Sequence, residues 1–476
     1  MFASQIPGVK SQRIITFILC FFQYVFIHCT RSTWSYVSGD MTNQNYFTSK
    51  YLGYINFSFL FFYGIAISCL GQFGDRMNLR LFILAGTFTT SIIFTIIGVM
   101  IQIQEKKNYL YLILQILNGM SQSTAWPGLL AILNNWFVTD KKILLLGCFA
   151  AAPNVGDIFG DIYSGSLIGR DDLPLYSAVY LAAVSLFIIN LINVFFLQSG
   201  PQADIKKRMI EEYEQNKKKE KKNENQQLTI ALIEKKYENT LNFSLNLSKN
   251  ETVDNNQPTL QVNQQQEQLN YFTAWFVPNV AFYAFAFGCV KAVYYILTFW
   301  LPAYLDLKKV PDVAWITAQT DVGSIPGGIL VCFIGYYYNK RAVIIVPALW
   351  IGTIVMISVN YSGSLKHEVA GYISLIFLTG LFIGGCYNNI QAAITVELSN
   401  QPELSKNKQA TTTVVSVIMG YGAIFAAINQ IIVSYVEQKL FLYCGAISII
   451  GGIILIPLVI KEVQRMKLDS KMKLDS

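Results

Sequence analysis

Apolar residues run in long, nearly unbroken blocks along this chain. They cover Ile14–Val37, Leu52–Gly74, Leu81–Ile103, Tyr109–Phe137, Ile143–Ile168 and Leu175–Leu197, then Phe276–Leu305, Val313–Tyr337, Val343–Val359, Val369–Val396, Ala410–Val436 and Phe441–Ile460. A helix that crosses a bilayer needs roughly 20 predominantly apolar residues, and each block is about that long. The pattern predicts an all-α membrane protein with twelve transmembrane helices, six on either side of a polar stretch. That stretch, from Gln198 to about Ala274, is rich in Lys, Glu, Asn and Gln and includes a basic run from Lys217 to Lys222. It has too little apolar surface to fold as a domain. The predicted organisation is an N-terminal six-helix bundle over 1–197, a flexible cytoplasmic linker over 198–274 with a short amphipathic helix near Leu228–Tyr237, and a C-terminal bundle with a basic tail over 275–476.

Composition narrows the class further. Only 14% of the 476 residues are charged and 53% are hydrophobic, where soluble domains carry about 25% charged residues. A typical soluble enzyme is excluded. The first block lacks a small-residue cleavage site and runs on through Arg31, so it reads as the first span rather than a signal peptide. The eight cysteines stand singly, with no C-x-x-C spacing, and there are two histidines, His28 and His367. No disulfide framework, metal site or cofactor is expected. No nucleic-acid motif is present. The net charge of +7 reflects basic loops: Arg76 and Arg80, Lys141 and Lys142, the linker, Lys340 and Arg341, Lys406 and Lys408, and the tail all fall on one side. The positive-inside rule puts that side, both termini and the linker in the cytoplasm. Asn360 is then the one glycosylation acceptor on the opposite side.

One short loop recurs in both halves. Gly71-Gln-Phe-Gly74-Asp75-Arg76 ends the second span with Arg80 following, and Gly335 to Lys340 ends the eighth; Gly335 lies 264 positions after Gly71. Parallel six-span repeats about an axis along the membrane normal are a transporter plan. Gly71, Asp75, Arg76, Arg80, Gly335 and Lys340 are candidate gating residues, with Asp and Arg latching helix ends. The first loop resembles the signature of the major facilitator superfamily.

Ionisable groups in mid-membrane are costly and mark functional sites by default. Arg31 lies deep in span one and Lys291 at matching depth in span seven. Two cations converging from two halves suit a phosphate, Arg as a planar fork and Lys as a point charge. Alternatively, each pairs with a buried carboxylate such as Asp157, Asp161 or Asp321. Asp157 and Asp161 share one helix face at i, i+4, as a proton-coupling site or as counter-ions. Asp321 opens a Gly-rich stretch that reads as helix packing. Polar and aromatic residues of the expected cavity helices are Tyr24, His28, Gln122, Trp126, Asn154, Tyr294, Tyr295, Tyr387 and Asn388, with Asn429; they either contact the substrate or pack.

These residues together resemble the sugar-phosphate exchanger family, the organophosphate:phosphate antiporter branch of the major facilitator superfamily. The resemblance covers nearly all of the chain except linker and tail. It rests on Asn118-Gly119, Gln122-Ser123-Thr124, Trp126-Pro127 and Asn135-Trp136-Phe137 in span four, Phe299-Trp300-Leu301-Pro302 in span seven, Asp321-Val322-Gly323 with Gly327-Gly328 in span eight, and the Gly71–Arg80 loop. It implies that Arg31 is the phosphate-binding arginine of a His-x-x-Arg-Lys motif, here His28-Cys-Thr-Arg31-Ser32, and that Lys291, eleven residues before Pro302, is the span-seven lysine. It implies exchange of a phosphorylated sugar or glycerol phosphate for inorganic phosphate, in the endoplasmic reticulum membrane for several members. The chain departs from the pattern where Ser32 replaces the second cation, Ala150 and Ala152 replace Asn and His, and Asp157 and Asp161 replace neutral residues. The expected function is therefore secondary transport by such exchange, not enzymatic catalysis, with the organophosphate, phosphate and the lipid bilayer as partners. The alternatives are a proton-coupled organic-anion carrier and a non-transporting membrane subunit or sensor with the same fold.

Overall fold

A proline sets the break in each of two interrupted spans of this all-helical chain. The coordinates are a computed structural model, which describes residues 9–70, 78–137, 142–168, 173–211, 273–276, 279–338, 342–361, 369–388 and 408–474, with the single positions 215, 218 and 390. The helices are α1 Val9–Asn43, α2 Ser49–Leu70, α3 Leu79–Gln102, α4 Asn108–Gln122, α5 Ala125–Trp136, α6 Lys142–Phe149, α7 Ala152–Ile168 and α8 Tyr176–Phe196. After the linker come α9 Val280–Leu307, α10 Val313–Tyr338, α11 Ala342–Tyr361, α12 Val369–Thr379, α13 Lys408–Val436 and α14 Leu440–Leu474. Pro127 and Pro153 cannot donate, and their rings clash with the carbonyl four residues back. Accordingly α4 stops just before Ser123 and α6 stops at Phe149. With α4–α5 and α6–α7 each counted as one interrupted span, and α12 continued through a π-type turn at Gly380–Gly384 to Asn388, the described residues form twelve spans.

Eight segments, the last covering both α13 and α14, are long and apolar enough to cross a membrane. Large apolar side chains such as Ile92, Phe187, Phe333 and Ile354 point outward, which suits lipid. The interior carries the polar groups, each needing a partner away from water. In the first half, Gln23 donates to Asn190 at 2.8 Å, Thr87 donates to Asn190 at 2.7 Å, and Asn193 donates to Gln23.

Residues 11–200 and 269–476 form one compact body. Residues 1–10 and 201–268 form a second unit, in which a helical stretch over 203–211 is described. In the main body the halves meet along two seams. Spans two and eleven touch where a Cβ on Gly64 would lie 2.9 Å from the Gly420 carbonyl oxygen. Spans five and eight touch where one on Gly165 would meet Ala314 Cβ at 2.1 Å. Adding six to span two gives span eight, and adding six to span five gives span eleven. The two seams are thus images of each other under the six-span repeat, as parallel pseudo-symmetry requires.

Candidate functional site

Arg31 sits inside α1, about two-thirds of the way along it, where a fully apolar surrounding would make its charge costly. It is 3% exposed, and its guanidinium is held from several helices. Nε donates to Gln122 Oε1 at 2.7 Å, and Nη1 donates to the Tyr295 hydroxyl at 2.7 Å. Nη1 also lies 3.3 Å from His28 Nε2, one helical turn back on α1. Gln122 is itself fixed, since Nε2 donates to Asn118 Oδ1 at 3.0 Å and to Thr30 Oγ1 at 3.3 Å. Its role toward Arg31 is positioning. Nη2 has no partner among the described residues.

Lys291, on α9, is also 3% exposed. Its ammonium donates to the Met419 carbonyl at 3.2 Å. Both cations lie over the same two rings. Arg31 Cζ is 5.2 Å and Lys291 Nζ 5.6 Å from the Tyr63 centroid, and each is 5.9 Å from the Tyr295 centroid. Aromatic faces attract cations within about 6 Å, so the rings partly offset the two positive charges. Among the described residues neither cation makes an ion pair with a carboxylate.

The carboxylates are engaged elsewhere. Asp157 Oδ2 lies 3.3 Å from His28 Nδ1 and accepts from Tyr294 Oη at 2.8 Å. Asp161 accepts from the hydroxyl of Ser32. Asp321 Oδ1 stands 3.4 Å from the same Tyr294 hydroxyl. Around Asp321 the helices pack closely, with Gly323 and Gly327 against the backbone of residues 377 and 381, and the Asp321 side chain itself reaches Tyr294.

A second layer is aromatic. Tyr24 packs on His28, Trp126 and Phe149, with centroids 4.9, 5.2 and 5.7 Å away. Tyr387 stacks on Tyr294 at 4.3 Å. Several polar atoms in this region have no partner among the described residues: Trp126 Nε1, Asp157 Oδ1 and both amide atoms of the fully buried Asn154. Gly156 lets α7 lie against α1 here; a Cβ on it would meet the Val25 carbonyl oxygen at 2.2 Å. Asn388 is buried beside Gly328, and Asn429 donates to the Phe425 carbonyl one turn back on α13.

Beyond Tyr36, five residues further along α1, a cleft of about 650 Å³ opens between α1, α7, α9 and α10. Asp40, Ile162, Asp306 and Trp315 line it. Asn43 donates to Asp306 at 3.0 Å across its mouth, linking the halves.

This arrangement, buried polar chemistry between two pseudo-symmetric six-span bundles, is that of a transport protein, and the Major Facilitator Superfamily profile matches residues 16–427. The chain belongs to the major facilitator superfamily. It is an integral membrane protein of a transporter family. It is 27% identical to sugar phosphate exchanger 3 of Homo sapiens, over 97% of this chain and 95% of that one. It is 26% identical to putative glycerol-3-phosphate transporter 1 of Arabidopsis thaliana, over 87% of this chain and 75% of that one. The resemblance drawn from the motifs thus agrees with whole-chain similarity. Among solved structures, the nucleoside transporter NupG superposes with a TM-score of 0.60 at 12% identity, covering 94% of this chain and 99% of its own. At that identity the likeness concerns the fold.

In this superfamily member the candidate gating residues divide. Arg80 caps the C-terminus of α8, donating to the carbonyls of Val194 at 2.5 Å and Leu197 at 3.3 Å. Those carbonyls lack helical partners, and a cation there is favourable. Gly335 is buried in α10. Gly71, Asp75, Arg76 and Lys340 lie outside the described residues, as do Leu228–Tyr237 and most of the linker. Sequence reasoning missed Tyr63, Phe59 and the Met419 carbonyl. Phe59 lies under Arg31 at 5.5 Å. A tyrosine in a run already full of Phe and Tyr gives no signal by itself.

Proposed function

We propose that this protein is a secondary transporter that exchanges a phosphorylated sugar or glycerol phosphate for inorganic phosphate by alternating access. One observation carries the reading. Arg31 and Lys291, one from each half, are buried over the same two rings without a carboxylate partner among the described residues. A phosphoryl dianion supplies the missing countercharge. Arg31 Nη2 is a free donor for it, and Lys291 adds a second charge from the opposite half. Binding between them favours the halves closing on the anion, which is how a substrate drives a change of access: it binds one arrangement better than the other. Tyr24, His28, Trp126, Asn154, Tyr294, Tyr387 and Asn388 surround the organic moiety, and the unpartnered atoms of Asn154 and Trp126 suit its hydroxyls. The relatives named for sugar phosphate and glycerol 3-phosphate support this substrate class. On this reading both termini and the linker face the cytoplasm, the membrane is that of the endoplasmic reticulum, and Asp75, Arg76 and Lys340 latch the cytoplasmic gate.

The test is uptake of labelled phosphate into proteoliposomes preloaded with phosphate, glucose 6-phosphate or glycerol 3-phosphate. Uptake that requires internal substrate and disappears in Arg31→Ala, with the variant still folded, is the expected result. Equal uptake by folded Arg31→Ala overturns the clamp. Uptake driven without any internal phosphate or organophosphate points instead to a carrier that does not exchange.

A further inference from the structure

The hydrogen-bonded chain that begins at Arg31 continues past Asp157 into the other half of the protein. Tyr294 Oη lies 2.8 Å from Asp157 Oδ2 and 3.4 Å from Asp321 Oδ1. Asp157 belongs to span five; Tyr294 and Asp321 belong to spans seven and eight. All three are buried, at 1%, 2% and 6% exposure. A phenol has one proton to donate. It can satisfy one of the two carboxylates and meets the other oxygen to oxygen, unless that second group carries a proton of its own.

One assignment satisfies every contact. Arg31 Nη1–H donates to His28 Nε2. His28 Nδ1–H donates to Asp157 Oδ2, and Tyr294 O–H donates to the same oxygen. Asp321, as a neutral acid, donates its O–H to Tyr294 Oη. The chain then runs Arg31–His28–Asp157–Tyr294–Asp321, with one exchangeable proton at its far end.

Charge points the same way. The groups facing Asp321 are Asp157 and Asp161 from α7, Tyr294 from α9 and, through Asp157, His28 and Arg31 from α1. Tyr387 stacks on Tyr294 from the segment after α12. Lys291 lies one turn before Tyr294 on α9, and α10 has no charged side chain besides Asp321. With all three carboxylates ionised, the acids outnumber the two cations, and an anion would enter a net negative site. A proton on Asp321 restores balance. Independently, Asp157 Oδ1, Arg31 Nη2 and both amide atoms of Asn154, one turn before Asp157, are buried and unpartnered among the described residues, so polar atoms along this chain are left for a polar ligand to satisfy.

We propose that Asp321 is a proton-binding site loaded together with the anionic substrate, and that the Tyr294 bridge to Asp157 couples that proton to closure of the two halves. The proton enters from water on the side the open site faces, resides on the Asp321 carboxyl, and leaves to water on the other side with the anion. The proposal rests on the reading of Arg31 and Lys291 as an anion clamp, and it deepens that reading.

The test pairs two readouts on reconstituted protein. Labelled phosphate counterflow at equal pH on both sides reports the clamp. The same counterflow measured over a range of pH, kept equal on both sides, reports the proton site. In one-for-one exchange the proton carried in with one anion is balanced by the proton carried out with the other, so the rate and not a net proton flux is the readout. The expected result is a counterflow rate falling up to about tenfold per pH unit as the site deprotonates, the slope of a one-proton linkage. Asp321→Asn, which keeps a donor toward Tyr294, should lose that fall in whatever counterflow it retains; Tyr294→Phe should lose it as well. Wild-type counterflow with no such fall overturns this proposal and leaves the clamp standing. A fall that survives unchanged in Asp321→Asn also overturns it. No counterflow by folded wild-type protein removes the clamp and this proposal together.

Discussion

Arg31 Nη1 donates to the Tyr295 hydroxyl at 2.7 Å, joining span one to span seven across the two halves. A bond that crosses the halves must break whenever they part. A hydrogen bond to a charged group contributes about 1.5–3 kcal/mol. Tyr295→Phe removes it and keeps the ring beneath both cations. Phosphate exchange should slow roughly tenfold to a hundredfold, with a melting temperature close to the wild type. An unchanged exchange rate would show that this bond has no part in closure.

Tyr63 serves both cations through its ring face rather than its hydroxyl, at 5.2 Å from Arg31 and 5.6 Å from Lys291. Desolvated cation–π contacts are worth about 2 kcal/mol each. Tyr63→Leu should weaken exchange far more than Tyr63→Phe, which preserves the face. Initial rates for the two variants decide the matter. Equal losses would assign the effect to the hydroxyl.

What the sequence could reveal followed from the cost of each residue in its setting. A cation within a 20-residue apolar block is expensive enough to stand out, so Arg31 and Lys291 are legible, and so is their separation of 260 residues, one helical turn short of the 264-residue repeat. The twelve spans are legible for the same reason. Tyr63 is not, because a tyrosine costs little in a Phe-rich helix and its meaning depends on which cations fall over it. Asp321 is half legible: its charge is visible, but the glycines that follow it suggest packing, and only the fold brings Tyr294 to it. The breaks near Pro127 and Pro153 went unread, because apolar patterning runs straight through Tyr109–Phe137 and Ile143–Ile168; only the helix ends at Gln122 and Phe149 show them.

Gly64 has no room for a side chain. A Cβ there would lie 2.9 Å from the Gly420 carbonyl oxygen and 2.9 Å from Ile424 Cγ1. A backbone carbonyl cannot rotate aside, so α2 and α13 must separate. Overpacking of this kind costs about 1–3 kcal/mol. Gly64→Ala should lower the melting temperature in detergent by a few degrees. Gly147→Ala is the control, since nothing lies within 4 Å of its added Cβ. Identical melting of the two variants would mean that this seam is not held in the dominant conformation.

Two departures from the sugar-phosphate exchanger pattern meet in space. Ser32 stands where the second span-one cation is expected, and Asp161 stands where a neutral residue is expected. The Ser32 hydroxyl donates to Asp161, and both are buried, at 1% and 4% exposure. Removing a cation beside a new carboxylate is costly unless a donor remains, because an unpaired buried charge is strongly destabilising. The serine is that donor. The two positions should therefore be coupled. Ser32→Lys faces a carboxylate and gains an ion pair, at the expense of packing. The same lysine in Asp161→Asn is buried without a countercharge. A double-mutant cycle in melting free energy should give a coupling of about 1–3 kcal/mol, the range for residues in direct contact, with Ser32→Lys tolerated better when Asp161 is present. Additive effects of the two substitutions would mean that the departures are independent, and that Asp161 answers to a partner other than Ser32.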